Sequence, residues 1–366
     1  MRESTSVKPR NPWIPLWSIA LPVVACVALA AIWGRSLGWI LLALAGCGLV
    51  TAVVVGVHHA EVVALRVGEP FGTLILALAV TVIELGLIGS IMVSGAPGSA
   101  ALARDTLFAT VMIACNGVVG GCLVVGTRKH HVLPFRAEGA GHALATLAPL
   151  VTLTLILPNF TVTTPGPTYA PAQLAFAGAS SLILYGVFVF AQTVRHRDYF
   201  LPERPDADEQ HSPPPSRVAM ASLGLLMLSL IAVVGLAKQL APAIEHGVRA
   251  IAAPASAVGL VIALLVLSPE STAAVRAAAR NRMQTSLNLA LGSALATIGL
   301  TIPCVAVLSV LLGLQLELGL GSAQIVLLVL TLILSTITLS SGRATVLHGA
   351  VHLVVFGAYL VLAFVP

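Results

Sequence analysis

GTLILALAVTVIELGLIGSIM, residues 72–92, holds one charged side chain, Glu84, among twenty apolar, small or hydroxyl-bearing residues. About 20 such residues make a helix long enough to cross a bilayer. Glu84 then lies near mid-membrane, where an ionised carboxylate costs at least a few kcal/mol. It is tolerable there only if it faces a cavity, a cation or a proton.

The rest of the chain has the same character. Its 366 residues carry 19 Lys+Arg and 14 Asp+Glu, so 9% are charged, 58% are hydrophobic and the mean hydropathy is +1.00. A soluble domain carries about 25% charged residues. This excludes a soluble enzyme, a disordered chain and a nucleic-acid binder. The net charge of +5 is no basic patch, because the charges are scattered between apolar runs. Aromatics are only 5%, so helix packing must rely on Gly, Ala, Ser and Thr. The five cysteines lie in apolar runs, form no CxxC pair and are odd in number, which leaves no complete disulfide framework. The basic N-terminus lacks a small-residue cleavage site after its first apolar run, and that run reads as an uncleaved first span.

The expected fold class is an all-α polytopic membrane protein with about eleven transmembrane helices. The expected spans are 14–33, 37–57, 72–95, 105–126, 142–158, 172–194, 218–238, 251–271, 286–312, 323–340 and 345–365. Basic residues favour cytoplasmic loops. With the N-terminus inside, 15 of the 19 Lys and Arg fall on the cytoplasmic side; only Arg35, Arg104, Lys238 and Arg249 fall outside. An odd span count puts the C-terminus outside. The expected location is a bacterial cytoplasmic (inner) membrane.

Of the 14 acids, 12 read as lying in connections or at span ends; the exceptions are Glu84 and Glu270. Glu270 follows Pro269 at the end of AVGLVIALLVLSPE, and Pro269 is expected to break the helix and free backbone carbonyls at depth. The two acids occupy matching places, 186 residues apart (270 − 84), each in the second span of a five-span unit. An odd number of spans per unit inverts one unit against the other. The organisation is therefore read as a tail and extra helix (1–36), a first five-helix repeat (37–194), a cytoplasmic acidic, Pro-rich linker (195–217) and a second repeat (218–366). The linker is read as a solvated, flexible segment, with a regulatory role as the alternative. Transporters built from inverted repeats bind substrate at the repeat interface.

Three stretches carry a resemblance: HHAEVVALRVGEPFGTLILALAVTVIELGLI (58–88), SPESTAAVRAAARNRMQTSLNLALGSALATIGLTIP (268–303) and SGRATVLHGAVHLVVFGAYL (341–360). The chain resembles the calcium/cation antiporter superfamily in its cation/proton exchanger branch, nearest to bacterial ChaA-type calcium/sodium–proton antiporters. The resemblance implies that Glu84 and Glu270 are the essential glutamates of the two repeats. It matches a family Gly-Thr to Gly72–Thr73, a family Asn to Asn116 and a family Gly-Ser to Gly292–Ser293. The chain departs from the pattern at Val80–Thr81 and Val266–Leu267, where the family has Gly-Asn, at Ala296, where it has Gln, and at His348, where it has Glu. Fewer amide ligands weaken the case for calcium selectivity.

The implied activity is secondary antiport: Ca2+, with Na+ or K+, leaves in exchange for H+, and no ATP-driven step or resident cofactor is expected. Ca2+ takes six to eight oxygen ligands. Glu84 and Glu270 would hold the transported Ca2+, with Asn116, Thr81, Ser268, Ser293 and Thr297 as further candidates. Each hydroxyl has the rival reading of bonding its own helix backbone. His58, His59, Glu61, Glu69 and His348 are candidates for a proton pathway, with interfacial or packing roles as the alternative. His348 and His352 share a helix face at metal-ligand spacing, but no third ligand or HExxH glutamate accompanies them. The partners expected are inorganic cations, protons and the lipid bilayer, without nucleic acid; a homo-oligomer is left open. A Na+/H+ or K+/H+ antiporter with little Ca2+ transport is the alternative in the same class. An intramembrane hydrolase and a cation channel are the rivals from other classes.

Overall fold

The computed structural model describes residues 13–35, 38–68, 71–95, 98–130, 132–201, 213–250, 254 and 256–365. Glu69 and residues 202–212 of the expected linker lie outside the described residues. The helices are α1 (Leu16–Ile32), α2 (Trp39–Val67), α3 (Phe71–Ser94), α4 (Leu102–Met112), α5 (Val119–His130), α6 (Ala137–Val151), α7 (Pro171–Phe190), α8 (Ser216–Ala250), α9 (Ser256–Ala279), α10 (Met283–Leu312), α11 (Ser322–Ser340) and α12 (Val346–Phe364). A π-turn, Ile113–Val118, joins α4 to α5 within one span. Helices dominate because a backbone in hydrocarbon must satisfy its own N–H and C=O groups. Among the described residues, ten spans are long and apolar enough to cross a membrane, and α1 is a shorter apolar helix of 17 residues. The protein is a multi-pass membrane protein.

The helices pack in matching pairs. α3 lies on α10 and, reciprocally, α9 lies on α4; α7 lies on α10 and α12 on α5. α2 meets α8, and α1 packs against both from outside the two five-helix units. Each pair joins helices from different halves or equivalent places within them, as an inverted repeat requires. α1 is fastened by Cys26 Sγ to the Leu228 carbonyl at 3.3 Å and by Gln239 Nε2 to the Ile32 carbonyl at 3.0 Å.

The basic connections gather at one end. There Arg66 Nη2 donates to Ser216 Oγ at 2.8 Å, the Arg136 amide donates to Gln284 Oε1 at 2.8 Å, and Asn288 Nδ2 donates to the Phe200 carbonyl at 2.6 Å. Two short strands, β1 (Leu133–Pro134) and β2 (Arg343–Ala344), pair antiparallel at the same end. At the opposite end the α10–α11 connection is strapped down. Its Glu317 amide donates to the Ala100 carbonyl at 2.9 Å and its Leu320 amide to the Leu155 carbonyl at 2.8 Å.

Two expectations differ from the structure, and one acid is more buried than its place suggests. α2 continues to Val67, ten residues past the expected end at 57, so His58, His59 and Glu61 lie within a helix. It stops at Gly68, whose φ of 76° most side chains would resist and whose N–H returns to the Ala64 carbonyl at 2.9 Å. Asp105 lies in the first turn of α4, at a span end as expected, yet it is buried, 4% exposed. Finally, α9 does not break at Pro269 but runs through it to Ala279. The amide missing at Pro269 would have bonded Leu265, four residues earlier. Ser268 Oγ donates to that same carbonyl at 2.8 Å, so no acceptor is left free there. Ser268→Ala is expected to destabilise the fold by about 1 kcal/mol, read as a lower thermal midpoint in detergent, and Ser268→Thr to restore it. Equal midpoints for Ser268→Ala and the native chain would remove this role.

Candidate functional site

α3, α7, α9 and α10 enclose a cavity of about 250 Å³. It reaches from Gln192 and Asn288, near the basic end, to Thr81 and Thr297. Along α10 the lining runs from Thr285 to Thr297, about 18 Å at 1.5 Å per residue. Glu270 lines the cavity, and its Oε2 is buried with no hydrogen-bond partner among the described residues. A buried carboxyl oxygen without a donor is costly unless an occupant completes it.

Glu84 sits beyond the inner limit of the cavity and is 1% exposed. Thr301 Oγ1 donates to its Oε2 at 3.0 Å, and Thr297 hydrogen-bonds the same carboxyl. Thr297 also lines the cavity, so it bridges the open space and Glu84. Glu84 and Glu270 are close enough for their charges to interact, and Glu61 of α2 lies within electrostatic reach of Glu270. Crossing helices account for this: α3 packs on α10, and α9 packs on both α10 and α3.

The structure therefore brings Glu84, Glu270, Thr81, Ser293 and Thr297 to one place. Thr81 is 2% exposed and lines the cavity; its hydroxyl donates to the Ala77 carbonyl at 2.8 Å and keeps its capacity to accept. Gly292 lines the cavity beside Ser293 and adds no side chain to the space. Ser268 is exposed and repairs the backbone at Pro269. Thr301 is a site residue that the sequence reading missed. The signal was present: Ser293, Thr297 and Thr301 recur at i, i+4 and i+8, one hydroxyl per turn on a single face of α10.

Asn116 is held in a separate buried cluster. Its Nδ2 donates to Thr331 Oγ1 at 2.8 Å, and its Oδ1 pairs with His352 Nδ1 at 3.0 Å. His352 Nε2 meets Thr338 Oγ1 at 3.2 Å. Since the Asn116 oxygen can only accept, His352 donates from Nδ1. His348 Nδ1 accepts the Thr345 amide at 3.2 Å and caps α12. At the other end of the proton-pathway candidates, His59 is 0% exposed and its Nε2 meets the Ser18 carbonyl of α1 at 2.8 Å. His58 lies between Trp17 and His59, with ring centroids 5.1 Å and 5.4 Å away. Glu61 is exposed on α2. No group of three or more His, Cys, Asp or Glu able to hold a resident metal ion occurs among the described residues.

The chain is similar to known proteins over nearly its whole length. The family model described as "Sodium/calcium exchanger protein" matches residues 37–194 and 221–365. The y4hA protein of Sinorhizobium fredii (strain NBRC 101917 / NGR234) is 48% identical over 364 residues, 98% of each chain. The sodium-potassium/proton antiporter ChaA of Escherichia coli (strain K12) is 36% identical over 357 residues, covering 95% of this chain and 96% of its own. The solved structure of YfkE, a Ca2+/H+ antiporter protein, superposes with a TM-score of 0.70 at 16% identity over 96% of this chain and 99% of its own. With both halves matched and near-full-length relatives found, the chain belongs to the sodium/calcium exchanger protein family, within the calcium/cation antiporter superfamily of membrane transporters.

Proposed function

We propose that the chain is a secondary antiporter that exports a hard cation, Ca2+ together with Na+ or K+, in exchange for protons. One observation carries the reading: Glu270 of one half lines a cavity that runs toward the basic end of the molecule, and Glu84 of the other half lies just beyond its inner limit, within electrostatic reach. With the N-terminus and the basic end in the cytoplasm of a bacterial inner membrane, that cavity is the inward-facing path.

Exchange follows from competition. Two ionised carboxylates give a cation up to −2 of charge and several oxygens, while Thr81, Ser293 and Thr297 add neutral oxygen ligands. Protonated, the same carboxyls hold no cation. An empty, doubly charged site faces a barrier to crossing, because desolvating each uncompensated charge costs several kcal/mol. Only the protonated and the cation-loaded forms change sides, so each passage of a cation one way requires protons to go the other. His58, His59, Glu61, Glu69 and His348 remain candidates for delivering protons; Glu61 is supported by its electrostatic reach to Glu270.

A second reading makes Na+ or K+ the main cargo. Asn116, the amide ligand implied by the resemblance, is engaged by Thr331 and His352, which leaves carboxyl and hydroxyl oxygens to hold the ion. Few ligands beside the two glutamates suit a monovalent ion, and the ChaA relative is named for sodium, potassium and protons. One experiment tests both readings. Everted vesicles are acidified by respiration and followed with a pH-sensitive dye. Adding Ca2+, Na+ or K+ is expected to collapse the gradient in vesicles that carry the chain. The ion acting at the lowest concentration identifies the cargo, and no proton response to any of the three overturns antiport.

A further inference from the structure

A second cavity, about 260 Å³, lies at the opposite end of the molecule between α4, α9, α11 and α12. Part of its lining repeats that of the first. α7 and α12 are the fifth helices of their halves. On α7 the first cavity is lined by Tyr185, Phe188 and Val189; on α12 the second is lined by Tyr359, Leu362 and Ala363, each 174 residues later (359 − 185, 362 − 188, 363 − 189). α10 walls the first cavity and α4, its counterpart, walls the second. The two spaces share these counterpart walls and open toward opposite ends; the second is walled in addition by α11. In an inverted repeat, the counterpart of one access path is the path used in the other state.

The second cavity has a carboxylate in its wall. Asp105 is 4% exposed and lines the space beside Phe108 and Tyr359, whose rings meet edge to face at 5.3 Å. The Gln324 side chain hydrogen-bonds Asp105, while its Oε1 accepts the Gly321 amide at 3.0 Å. Both atoms of the Gln324 amide are thus engaged, its oxygen by Gly321 and its NH2 by Asp105, and it positions the carboxyl. The neighbouring cation is part of the chain: Arg104 Nε donates to Asp105 Oδ1 at 2.9 Å. Its Nη1 donates to the Gly319 carbonyl at 3.1 Å and lies 3.8 Å from Glu317. Arg104 itself is not in the cavity wall. A surface ion pair needs no cavity behind its acid; here the acid has the guanidinium on one side and an open, partly polar space on the other.

We propose that this cavity is the outer docking site for the transported cation. Asp105 supplies the anionic ligand, Tyr359 and Ser256 offer neutral oxygens, and Arg104 is a tethered competitor whose hold on Asp105 weakens when a mobile cation enters. The ligand class is a hard, partly hydrated metal cation. The inference rests on the antiport reading above and adds a site that Glu84 and Glu270 do not include.

The test compares right-side-out and everted vesicles carrying the full-length chain, with the cation that the native protein exchanges. Asp105→Asn is expected to raise the ratio of outer to inner half-saturating concentrations roughly tenfold, the effect of one lost charge contact at intermediate dielectric. Arg104→Gln is expected to lower the same ratio severalfold. Opposite signs from neighbouring residues cannot come from general damage to the fold. Arg104→Gln also keeps the test open if Asp105→Asn fails to fold. Equal changes on both faces, or an unchanged ratio for Arg104→Gln, overturn the docking site while leaving antiport intact. A native chain that exchanges no cation overturns the antiport reading itself, and this site with it.

Discussion

Glu84→Gln and Glu270→Gln are each expected to reduce cation-driven collapse of the proton gradient to background, a loss on the order of 100-fold or more. The estimate follows from removing one full charge from a two-carboxylate site at intermediate dielectric, worth about 3 kcal/mol or more. Glutamine keeps the length and shape of glutamate. In Glu84→Gln the amide oxygen can still accept from Thr301 and Thr297, so the fold is expected to survive. In Glu270→Gln the change falls on a carboxyl that lines the cavity, where an amide has room. Both variants should therefore elute as folded protein and fail only in exchange. Glu84→Asp separates charge from reach: it keeps the carboxylate but draws it back from Thr301, and it should retain partial exchange at higher cation concentration. Normal exchange by both glutamine variants would remove these residues as the shared site.

The two glutamates were legible because charge is scarce. With 33 charged residues in 366, an acid in the middle of an apolar run stands out without knowledge of the fold. The spans were legible for the same reason, and their ends were less so. The sequence places the end of the second span at 57, where His58, His59 and Glu61 interrupt the apolar run; the helix continues for ten residues because backbone hydrogen bonds do not depend on side-chain polarity. The burial of Asp105, at the end of its span, was not legible by the same ruler. Its carboxyl is held by Arg104, the residue before it, and by Gln324 of α11, and a partner on another helix leaves no trace in hydropathy.

Pro269 shows a different limit. Proline removes a donor, and the sequence reading expected a broken helix. The hydroxyl of the residue before it, Ser268, supplies the missing donor to Leu265. The pair Ser268–Pro269 is local and visible in the sequence, yet its effect depends on a rotamer. Asn116 is the converse case. Its type and place match a family ligand, but its amide is fixed by Thr331 and His352, from helices more than 200 residues away in the chain. Which partner a buried amide takes is decided by packing.

Gly259→Leu is expected to abolish the folded protein, whereas Gly224→Leu is expected to be tolerated. α9 crosses α4 at Gly259, where a Cβ would lie 2.8 Å from the Asp105 carbonyl carbon and the Thr106 amide nitrogen, and 2.9 Å from Asp105 Cβ. Two of these three neighbours are backbone atoms of a helix, which cannot swing aside as a side chain can. Even alanine must push α4 away from α9, at a cost of about 1–3 kcal/mol or more. Leucine adds three further carbons at the same place and forces the helices apart. Membrane helices gain little from burying apolar surface against one another, so close approach at small residues supplies much of their attraction. Gly224, on α8, has open space where its Cβ would stand. The measurement is the monodisperse fraction on size-exclusion chromatography after extraction in mild detergent. Gly259→Ala should show a lowered midpoint, Gly259→Leu no folded peak, and Gly224→Leu a native one. A native peak for Gly259→Leu would mean that the α4–α9 crossing does not hold the two halves together, and the geometry that brings Asp105 and Glu270 onto the two access paths would lose its anchor.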